Sequence, residues 1–180
     1  GRRFPFPDAS FDIVISFHVI EHVDDTRLYL SEIRRTSAPG ATILIDTPNR
    51  NYRLAPGERP WNRHHRVEFA PHDLRVLLER YFDHVELFGI IGTPFLNAIE
   101  RARAARLRRL AKLDPLGLRH VLPPSVTHLA GRLAAKVMGA PGSKSQFESS
   151  SLSWSDIRHT PEGLDESLVL LAKIANGGAA

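Results

Sequence analysis

Five residues near the N-terminus, His-Val-Ile-Glu-His at positions 18–22, have types and a spacing that could do chemistry. On a helix, His18, Glu21 and His22 would share a face, because residues three and four apart are neighbours there. They also spell H-x-x-E-H, the inverted zinc-protease motif, in which two histidines bind zinc and the glutamate activates water. Two other roles stay open: ligand binding without metal, and a structural role in which Glu21 and His22 orient the start of a helix.

The segments on both sides of this motif predict a parallel α/β sheet. Residues 11–17 are nearly all apolar or β-branched, which is typical of a strand buried on both faces. Asp24 or Asp25 is a plausible N-cap for a following helix of about three turns, and Pro39 lies where that helix should stop. Residues 42–45 then predict a second buried strand. A strand, a helix and a parallel strand form a right-handed crossover unit.

The rest of the chain predicts one more helix, two more strands and a long insertion. Pro71 suits the first turn of a helix, and apolar runs predict strands over 84–91 and 167–174. The connection between those two strands is too long for a hairpin. It contains a helical insertion at about 94–150, whose first part is basic. We expect residues 1–180 to form one α/β domain with this insertion before the last strand.

Three ordered segments carry a family resemblance. They are Pro5-Phe6-Pro7-Asp8 with Phe11-Asp12-Ile13-Val14, then Glu21-His22-Val23-Asp24-Asp25, and finally Pro39-Gly40-Ala41. Together they resemble the second half of a class I S-adenosylmethionine-dependent methyltransferase of the type 11/12 kind. The resemblance implies a partial Rossmann-like methyltransferase sheet, comprising strands four to seven with flanking helices. It also implies that E-H-V-x-D opens a helix and that the final strand runs antiparallel and closes the sheet edge.

The resemblance implies S-adenosylmethionine as cofactor and a small-molecule acceptor as substrate, methylated on oxygen or nitrogen. The sulfonium is already a strong electrophile, so the protein mainly aligns the acceptor and, for a hydroxyl, removes a proton. Ligands of open α/β sheets bind beyond the carboxyl ends of the strands. The implied cofactor contacts are therefore Ser16, Phe17 and His18, with Phe4 on the adenine side. For Phe6 we expect ordinary core packing.

On the acceptor side, the resemblance places the substrate pocket after the second strand. The expected contacts are Glu21, His22, Asn49 and Trp61, with Asp46 nearby. The stretch from His65 to Leu74 resembles the H-x-x-x-F-(S/T)-P-x-x-L segment of many bacterial small-molecule methyltransferases. A histidine that titrates near neutral pH can act as general base, so His65 is the first catalytic candidate and His64 the second. Alternatively, His65 bridges this loop to the helix at Pro71.

We expect no metal in this region. Some quinone-type O-methyltransferases resemble the segment and bind a divalent cation there through acidic and histidine residues. The first of those positions is His18 in this chain rather than a glutamate, which argues against an oxygen-liganded magnesium site.

The glycine-rich loop and the ribose-binding acid that the resemblance also implies are missing. No G-x-G-x-G pattern occurs in the 180 residues. We therefore expect a C-terminal portion of a methyltransferase domain that binds S-adenosylmethionine weakly on its own, and a catalytically silent fragment is the alternative. Removing neighbouring strands would expose an apolar sheet edge, through which the chain could self-associate.

The amino-acid composition limits the kinds of site and binding partner that we expect. The chain has no cysteine, which excludes disulfides and thiolate metal sites, and its net charge of +4 is modest. No aromatic residues interleave the basic run over 101–112, so we expect no nucleic-acid partner. We expect this run to be either a solvated helix face or a lid over the acceptor pocket. No apolar run is long enough to span a membrane. The composition favours a bacterial, cytoplasmic protein.

Overall fold

The computed structural model describes residues 3–60, 62–112 and 157–177 of the chain. In chain order the helices and strands are β1 (Phe11–Phe17), a 3₁₀ turn (Ile20–His22), α1 (Thr26–Thr36), β2 (Ser37–Pro48), α2 (Arg50–Arg53), α3 (Pro71–Leu78), β3 (His84–Gly92), α4 (Pro94–Lys112), β4 (Ile157–Thr160), a second 3₁₀ turn (Leu164–Glu166) and β5 (Val169–Ala175). The predicted α/β class is confirmed. None of the helices among the described residues has the length and apolar character needed to cross a bilayer.

One five-stranded sheet, in the order β1-β2-β5-β3-β4, organises these elements. β1 and β2 are parallel, as the crossover unit requires, and Ile15 lies beside Leu44. β5 runs antiparallel to both β2 and β3, so the final strand is antiparallel as expected. However, it lies inside the sheet rather than at its edge, because it pairs along both sides. The edge beyond β3 is the short strand β4, which the sequence did not predict.

The helix between β1 and β2 begins later than expected. Glu21 and His22 do not open α1, because Ile20–His22 forms a separate 3₁₀ turn and Val23 to Asp25 intervene. Asp25 is the N-cap: its Oδ1 atom accepts a hydrogen bond from the Leu28 N–H at 3.0 Å. Glu21 and His22 therefore lie in a tight turn that follows the carboxyl end of β1.

The hydrophobic core lies on one face of the sheet, beneath α1 and α3. Leu30 and Ile33 of α1 and Leu74 and Leu78 of α3 pack there. The strand residues of this core are Ile43, Ile45, Leu87, Leu170, Ala172 and Ile174. Because side chains alternate across a strand, the neighbours of these residues point to the opposite face.

The opposite face of β1 is exposed, contrary to the prediction of a strand buried on both faces. Ile13, Ile15 and Phe17 are 63%, 59% and 50% exposed. β1 is an edge strand of the described sheet, so it also lacks a hydrogen-bonded neighbour on one side there. The prediction for Phe6 was wrong as well. This ring is 48% exposed and packs edge-on against Phe11, at a centroid distance of 5.0 Å.

Candidate functional site

A cavity of about 300 Å³ opens at the carboxyl ends of β1 and β2. His18 and Pro48 line it from the sheet, and Leu168 and Val169 line it from the start of β5. The antiparallel course of β5 brings its first residues to this same edge. Ligands of open α/β sheets bind at this kind of location, so we take the cavity as the candidate site.

Two helices form the other walls. α2 contributes Tyr52 and Arg53, and α4 contributes Leu96, Glu100, Arg103 and Ala104. Arg108 holds α4 against α2 by donating from Nη2 to the Tyr52 carbonyl at 3.0 Å. The first part of the insertion therefore lines the cavity, as a lid would. Whether it opens and closes stays a prediction, and residues 113–150 of the insertion lie outside the described residues.

A larger concavity of about 530 Å³ lies elsewhere, between the segment 58–69 and α3. Four arginines and three acidic residues line it, and it shares only Leu54 with the first cavity. It touches neither β1 nor β2 and has mixed charge. We therefore assign the ligand site to the smaller cavity at the strand ends.

His18 lies directly after β1 and is one of the residues that line the cavity at the strand ends. Its backbone has a φ of 51°, a left-handed conformation that residues other than glycine rarely adopt. The Asp46 Oδ1 atom fixes this conformation by accepting the His18 N–H at 2.7 Å. Burial raises the pKa of the Asp46 carboxyl, and the bond from the His18 N–H opposes that rise. A strained backbone conformation of this kind persists only where surrounding contacts hold it in place. Residues with such a conformation are concentrated at functional sites.

The His18 imidazole also has a fixed partner. Its Nδ1 atom lies 3.2 Å from Oε1 of Glu21, whose side chain is fully buried. The other Glu21 oxygen, Oε2, accepts the hydroxyl of Thr47 at 3.2 Å. The three residues thus connect the cavity wall to the interior of the sheet.

The remaining cofactor candidates point in different directions. The Ser16 hydroxyl bonds to the Tyr29 hydroxyl on the core side of β1, and burial raises the pKa of Tyr29. Phe4 packs edge-on against Tyr29 at a centroid distance of 5.9 Å, also on the α1 side. Phe17 lies on the exposed face of β1. Of the four predicted cofactor contacts, the structure brings only His18 to the cavity.

The acceptor candidates are also separated. Asn49 is fully buried, and its Nδ2 atom donates to the carbonyls of Leu164 at 2.7 Å and Ser167 at 2.9 Å. Glu21 and His22 lie in the 3₁₀ turn behind the cavity. Trp61 lies outside the described residues. Asn49 therefore has a structural task here, and the predicted contacts with substrate stay predictions.

The two catalytic candidates lie in the segment that packs on the 3₁₀ turn. The His65 side chain is only 6% exposed, and its Nδ1 atom donates to Glu68 Oε1 at 2.7 Å. The His64 side chain is exposed, and its carbonyl accepts from His22 Nδ1 at 3.0 Å. Neither lines the described cavity. Their role as general base stays a prediction.

Sequence reasoning missed the cavity residues Tyr52 and Arg53 and the buried partner Glu68, whereas Arg103 belongs to the basic run that was expected to form a lid. Burial raises the pKa of Tyr52, whose hydroxyl donates to the Asn97 carbonyl at 3.1 Å. Only Glu68 had a usable signal, since it lies three residues after His65. The cavity residues come from α2 and α4, which no sequence pattern relates to each other.

The H-x-x-E-H residues do not form the zinc-protease arrangement. His18 lies at the strand end in a left-handed conformation and His22 lies in a 3₁₀ turn, so the two are not on one face of an α-helix. His18 instead contacts the glutamate of its own motif.

A mixed α/β sheet with a cavity at its carboxyl edge defines a broad class of nucleotide- and cofactor-binding folds. Comparison with known proteins narrows the class. Residues 1–45 match the family model of the methyltransferase domain. Over 78 residues the chain is 43% identical to a probable S-adenosylmethionine-dependent methyltransferase of Mycolicibacterium smegmatis, covering 43% of this chain and 30% of that protein.

A second relative is the probable S-adenosylmethionine-dependent methyltransferase Rv3030 of Mycobacterium tuberculosis, 33% identical over 100 residues, or 54% of this chain and 36% of that protein. Among solved structures, an S-adenosylmethionine-dependent methyltransferase from Thermotoga maritima, described as a possible histamine N-methyltransferase, superposes with a TM-score of 0.52 at 14% identity. That superposition covers 97% of this chain and 59% of the other, and it supports the fold alone.

These matches bear out the predicted resemblance to the class I S-adenosylmethionine-dependent methyltransferases, which the family model carries over residues 1–45. The matches span about a third of the length of the two curated relatives, 30% and 36%.

Proposed function

We propose that this chain takes part in the transfer of a methyl group from S-adenosylmethionine to a small-molecule acceptor, on oxygen or nitrogen. The observation that carries the proposal is the cavity at the carboxyl ends of β1 and β2, in a chain whose relatives are named S-adenosylmethionine-dependent methyltransferases. A volume of about 300 Å³ suits a small molecule or part of one.

The charges of the cavity wall favour an acceptor with an anionic group. Arg53 and Arg103 line the cavity together with a single carboxylate, that of Glu100. Arg103 Nη1 lies 3.4 Å from Glu100 Oε1, and Arg103 is 68% exposed at its side chain, so it can turn toward a ligand. Arg53 also lines the cavity, and its Nε lies 3.8 Å from the buried Glu68 carboxylate. A carboxylate or phosphate on the acceptor would pair with Arg103.

In this arrangement His18 positions the acceptor. The bond from its backbone N–H to Asp46 fixes its main chain, and the contact of its Nδ1 atom with Glu21 orients the imidazole at the edge of the cavity. Methyl transfer depends mainly on alignment of the acceptor with the methyl group. A rigid polar side chain at the strand end provides that alignment, while Leu96 and Val169 supply apolar walls.

The test is transfer of labelled methyl from S-adenosylmethionine to pairs of acceptors that differ only by an anionic group. The assay uses the 180-residue chain, both alone and joined downstream of the N-terminal part of the Mycolicibacterium smegmatis relative. We expect transfer to the anionic member of at least one pair. Absence of any transfer by the joined protein, with both parts folded, would overturn the proposal.

Arg103→Ala tests the anionic acceptor separately. We expect it to raise KM for the anionic acceptor about tenfold, because it removes a charge-assisted contact made in both ground and transition states. Arg106→Ala is the matched control, since this exposed arginine lies on the same helix but does not line the cavity. Equal KM values for the two variants would refute the assignment of Arg103.

A further inference from the structure

Three side chains with metal-binding atoms meet behind the cavity, and the reaction proposed above does not use them. One nitrogen from His22, one from His65 and one carboxylate oxygen of Glu21 lie within 4.8 Å of one another. His22 and Glu21 come from the 3₁₀ turn after β1, and His65 comes from the segment before α3. The cluster therefore joins two parts of the chain that are more than 40 residues apart.

Backbone hydrogen bonds hold these two parts together independently of the side chains. The Glu21 carbonyl accepts the Arg66 N–H at 2.7 Å and the Val67 N–H at 3.4 Å. The main chain on either side of the cluster is thus fixed before any ligand binds. A site built on such a frame loses little conformational entropy when it closes on an ion.

Both imidazoles are oriented so that one nitrogen is available to a cation. A carbonyl oxygen can only accept, so the bond from His22 Nδ1 to the His64 carbonyl requires the proton on Nδ1. The bond from His65 Nδ1 to the Glu68 carboxylate has the same consequence. In the neutral rings Nε2 then carries the lone pair. Metal-binding histidines characteristically donate their other N–H to a carboxylate or a backbone carbonyl.

The separation of the two rings also suits coordination. Their centroids are 4.7 Å apart and their planes are inclined by 84°. With Zn–N bonds of about 2.0–2.1 Å and tetrahedral angles, two imidazoles on one ion have centroids about 5 Å apart. Such bonds also put ligand atoms about 3.4 Å apart. The ligand atoms now lie within 4.8 Å of one another, so binding requires the exposed His22 side chain to shift toward His65.

The local charge favours a cation. The carboxylates of Glu21 and Glu68 are both fully buried at their side chains. The nearest guanidinium is that of Arg53, whose Nε lies 3.8 Å from Glu68 Oε2, and this oxygen has no hydrogen-bond partner among the described residues. Within the described part of the chain, Glu21 has only the Thr47 hydroxyl and the His18 imidazole as side-chain partners, so a cation beside both carboxylates would offset the cost of burying them.

We propose that Glu21, His22 and His65 bind one divalent cation of intermediate softness, such as Zn²⁺, with Glu68 orienting His65. Two nitrogens and one carboxylate oxygen match zinc rather than magnesium, which prefers oxygen ligands. This proposal departs from the expectation of no metal, which did not include His65. It also differs from H-x-x-E-H, in which His18 would be a ligand, because His18 contacts Glu21 here. The ion would clamp the segment 62–69 to the end of β1, and the exposed side of His22 leaves a coordination position for water.

The test uses the full 180-residue chain after treatment with a chelator, titrated with Zn²⁺ in a calorimeter and with Co²⁺ by absorption spectroscopy. We expect one ion per chain and the visible spectrum of a four-coordinate Co²⁺ complex. His22→Ala and His65→Ala should each weaken binding at least tenfold. Glu68→Gln should weaken it about tenfold, because the orienting charge is lost while the volume is kept.

Two variants serve as controls. His64→Ala keeps the backbone carbonyl that bonds His22, and His72→Ala removes an exposed histidine on α3. Both should bind metal like the unaltered chain, and so should His18→Ala. Loss of binding on His18→Ala would overturn this ligand set in favour of H-x-x-E-H. Absence of stoichiometric binding, or binding that His22→Ala leaves unchanged, would overturn the site itself. Because His22 is exposed, its variant should keep the circular dichroism and melting temperature of the metal-free chain.

Discussion

At the scale of single residues, the polar side chains at the end of β2 combine structural tasks with proximity to the cavity. Asp46 fixes the strained backbone of His18, and Thr47 bonds the buried Glu21 carboxylate. Asn49, the next polar residue, ties β2 to the turn before β5. The geometry of the cavity wall therefore depends on residues that do not themselves line the cavity.

Asn49→Ala should destabilise the protein by about 2–3 kcal/mol, because buried carbonyls of Leu164 and Ser167 lose their donor. The measurement is chemical unfolding followed by circular dichroism. Asn51→Ala is the matched control, since its Nδ2 atom bonds Asp165 Oδ1 at 2.7 Å at an exposed site. We expect the control to cost under about 1 kcal/mol. Similar losses for both variants would contradict the structural role of Asn49.

A second residue-scale prediction concerns Glu32, whose carboxylate binds the Arg35 guanidinium at 2.7 Å and accepts the Phe4 N–H at 2.7 Å. Chiefly through its hydrogen bond with Arg35, the pKa of Glu32 is lowered from 4.5 to about 2. Because the folded-state pKa is depressed, the stabilisation is fully present above the unfolded pKa. It is lost as the pH falls from about 4.5 through about 2.

Glu32→Gln should therefore lower the urea midpoint at pH 7, and the difference from the unaltered chain should shrink as the pH falls through that window. Glu79→Gln is a suitable control, because its exposed carboxylate lies 3.7 Å from Arg75. If the urea midpoint of Glu32→Gln stays below that of the unaltered chain by the same amount down to pH 2, the ion pair is not the source of the difference.

At the scale of elements, β1 stands out because it exposes apolar side chains at an edge of the described sheet. Three of its apolar side chains are at least half exposed on one face, and its outer edge is unpaired among the described residues. Exposed apolar strands at an edge are sites of association with other chains. We therefore propose that the predicted self-association uses this edge strand and its exposed face, which is formed by Ile13, Ile15 and Phe17.

We expect the 180-residue chain to associate with increasing concentration, and the double variant Ile13→Lys, Ile15→Lys to remain monomeric. Lysines on an edge strand oppose pairing between chains through charge. Sedimentation velocity over a hundredfold concentration range measures this. A control with Val76→Lys, which adds one charge at an exposed position of α3, should associate like the unaltered chain. A chain that is monomeric at every concentration would disprove the proposal.

At the scale of the whole molecule, the described sheet supplies one wall of the candidate ligand site. The cavity has its polar groups at the ends of β1 and β2, yet no G-x-G-x-G loop occurs in the 180 residues. Such a loop lets the backbone approach a nucleotide-like cofactor closely. Binding of S-adenosylmethionine should depend on whether that loop is supplied.

We expect the 180-residue chain to bind S-adenosylmethionine weakly, with a Kd well above micromolar in calorimetry. Joining it to the N-terminal part of the Mycolicibacterium smegmatis relative should tighten binding at least tenfold. Micromolar binding by the 180-residue chain alone would contradict the first expectation. An unchanged Kd in the joined, folded protein would contradict the second.

The sequence by itself determined the α/β class, the positions of β1, α3 and β3, and the resemblance to S-adenosylmethionine-dependent methyltransferases. Those features follow from local patterns, such as the apolar run of residues 11–17 or Pro71 at a helix start, which need no distant partner. Only the tertiary structure decided that β5 lies inside the sheet, because strand order depends on pairing between β2, β3 and β5. It also decided which candidates meet. His18 reaches the cavity, whereas Ser16 and Asn49 turn to the interior, since a backbone conformation and long-range hydrogen bonds set those directions.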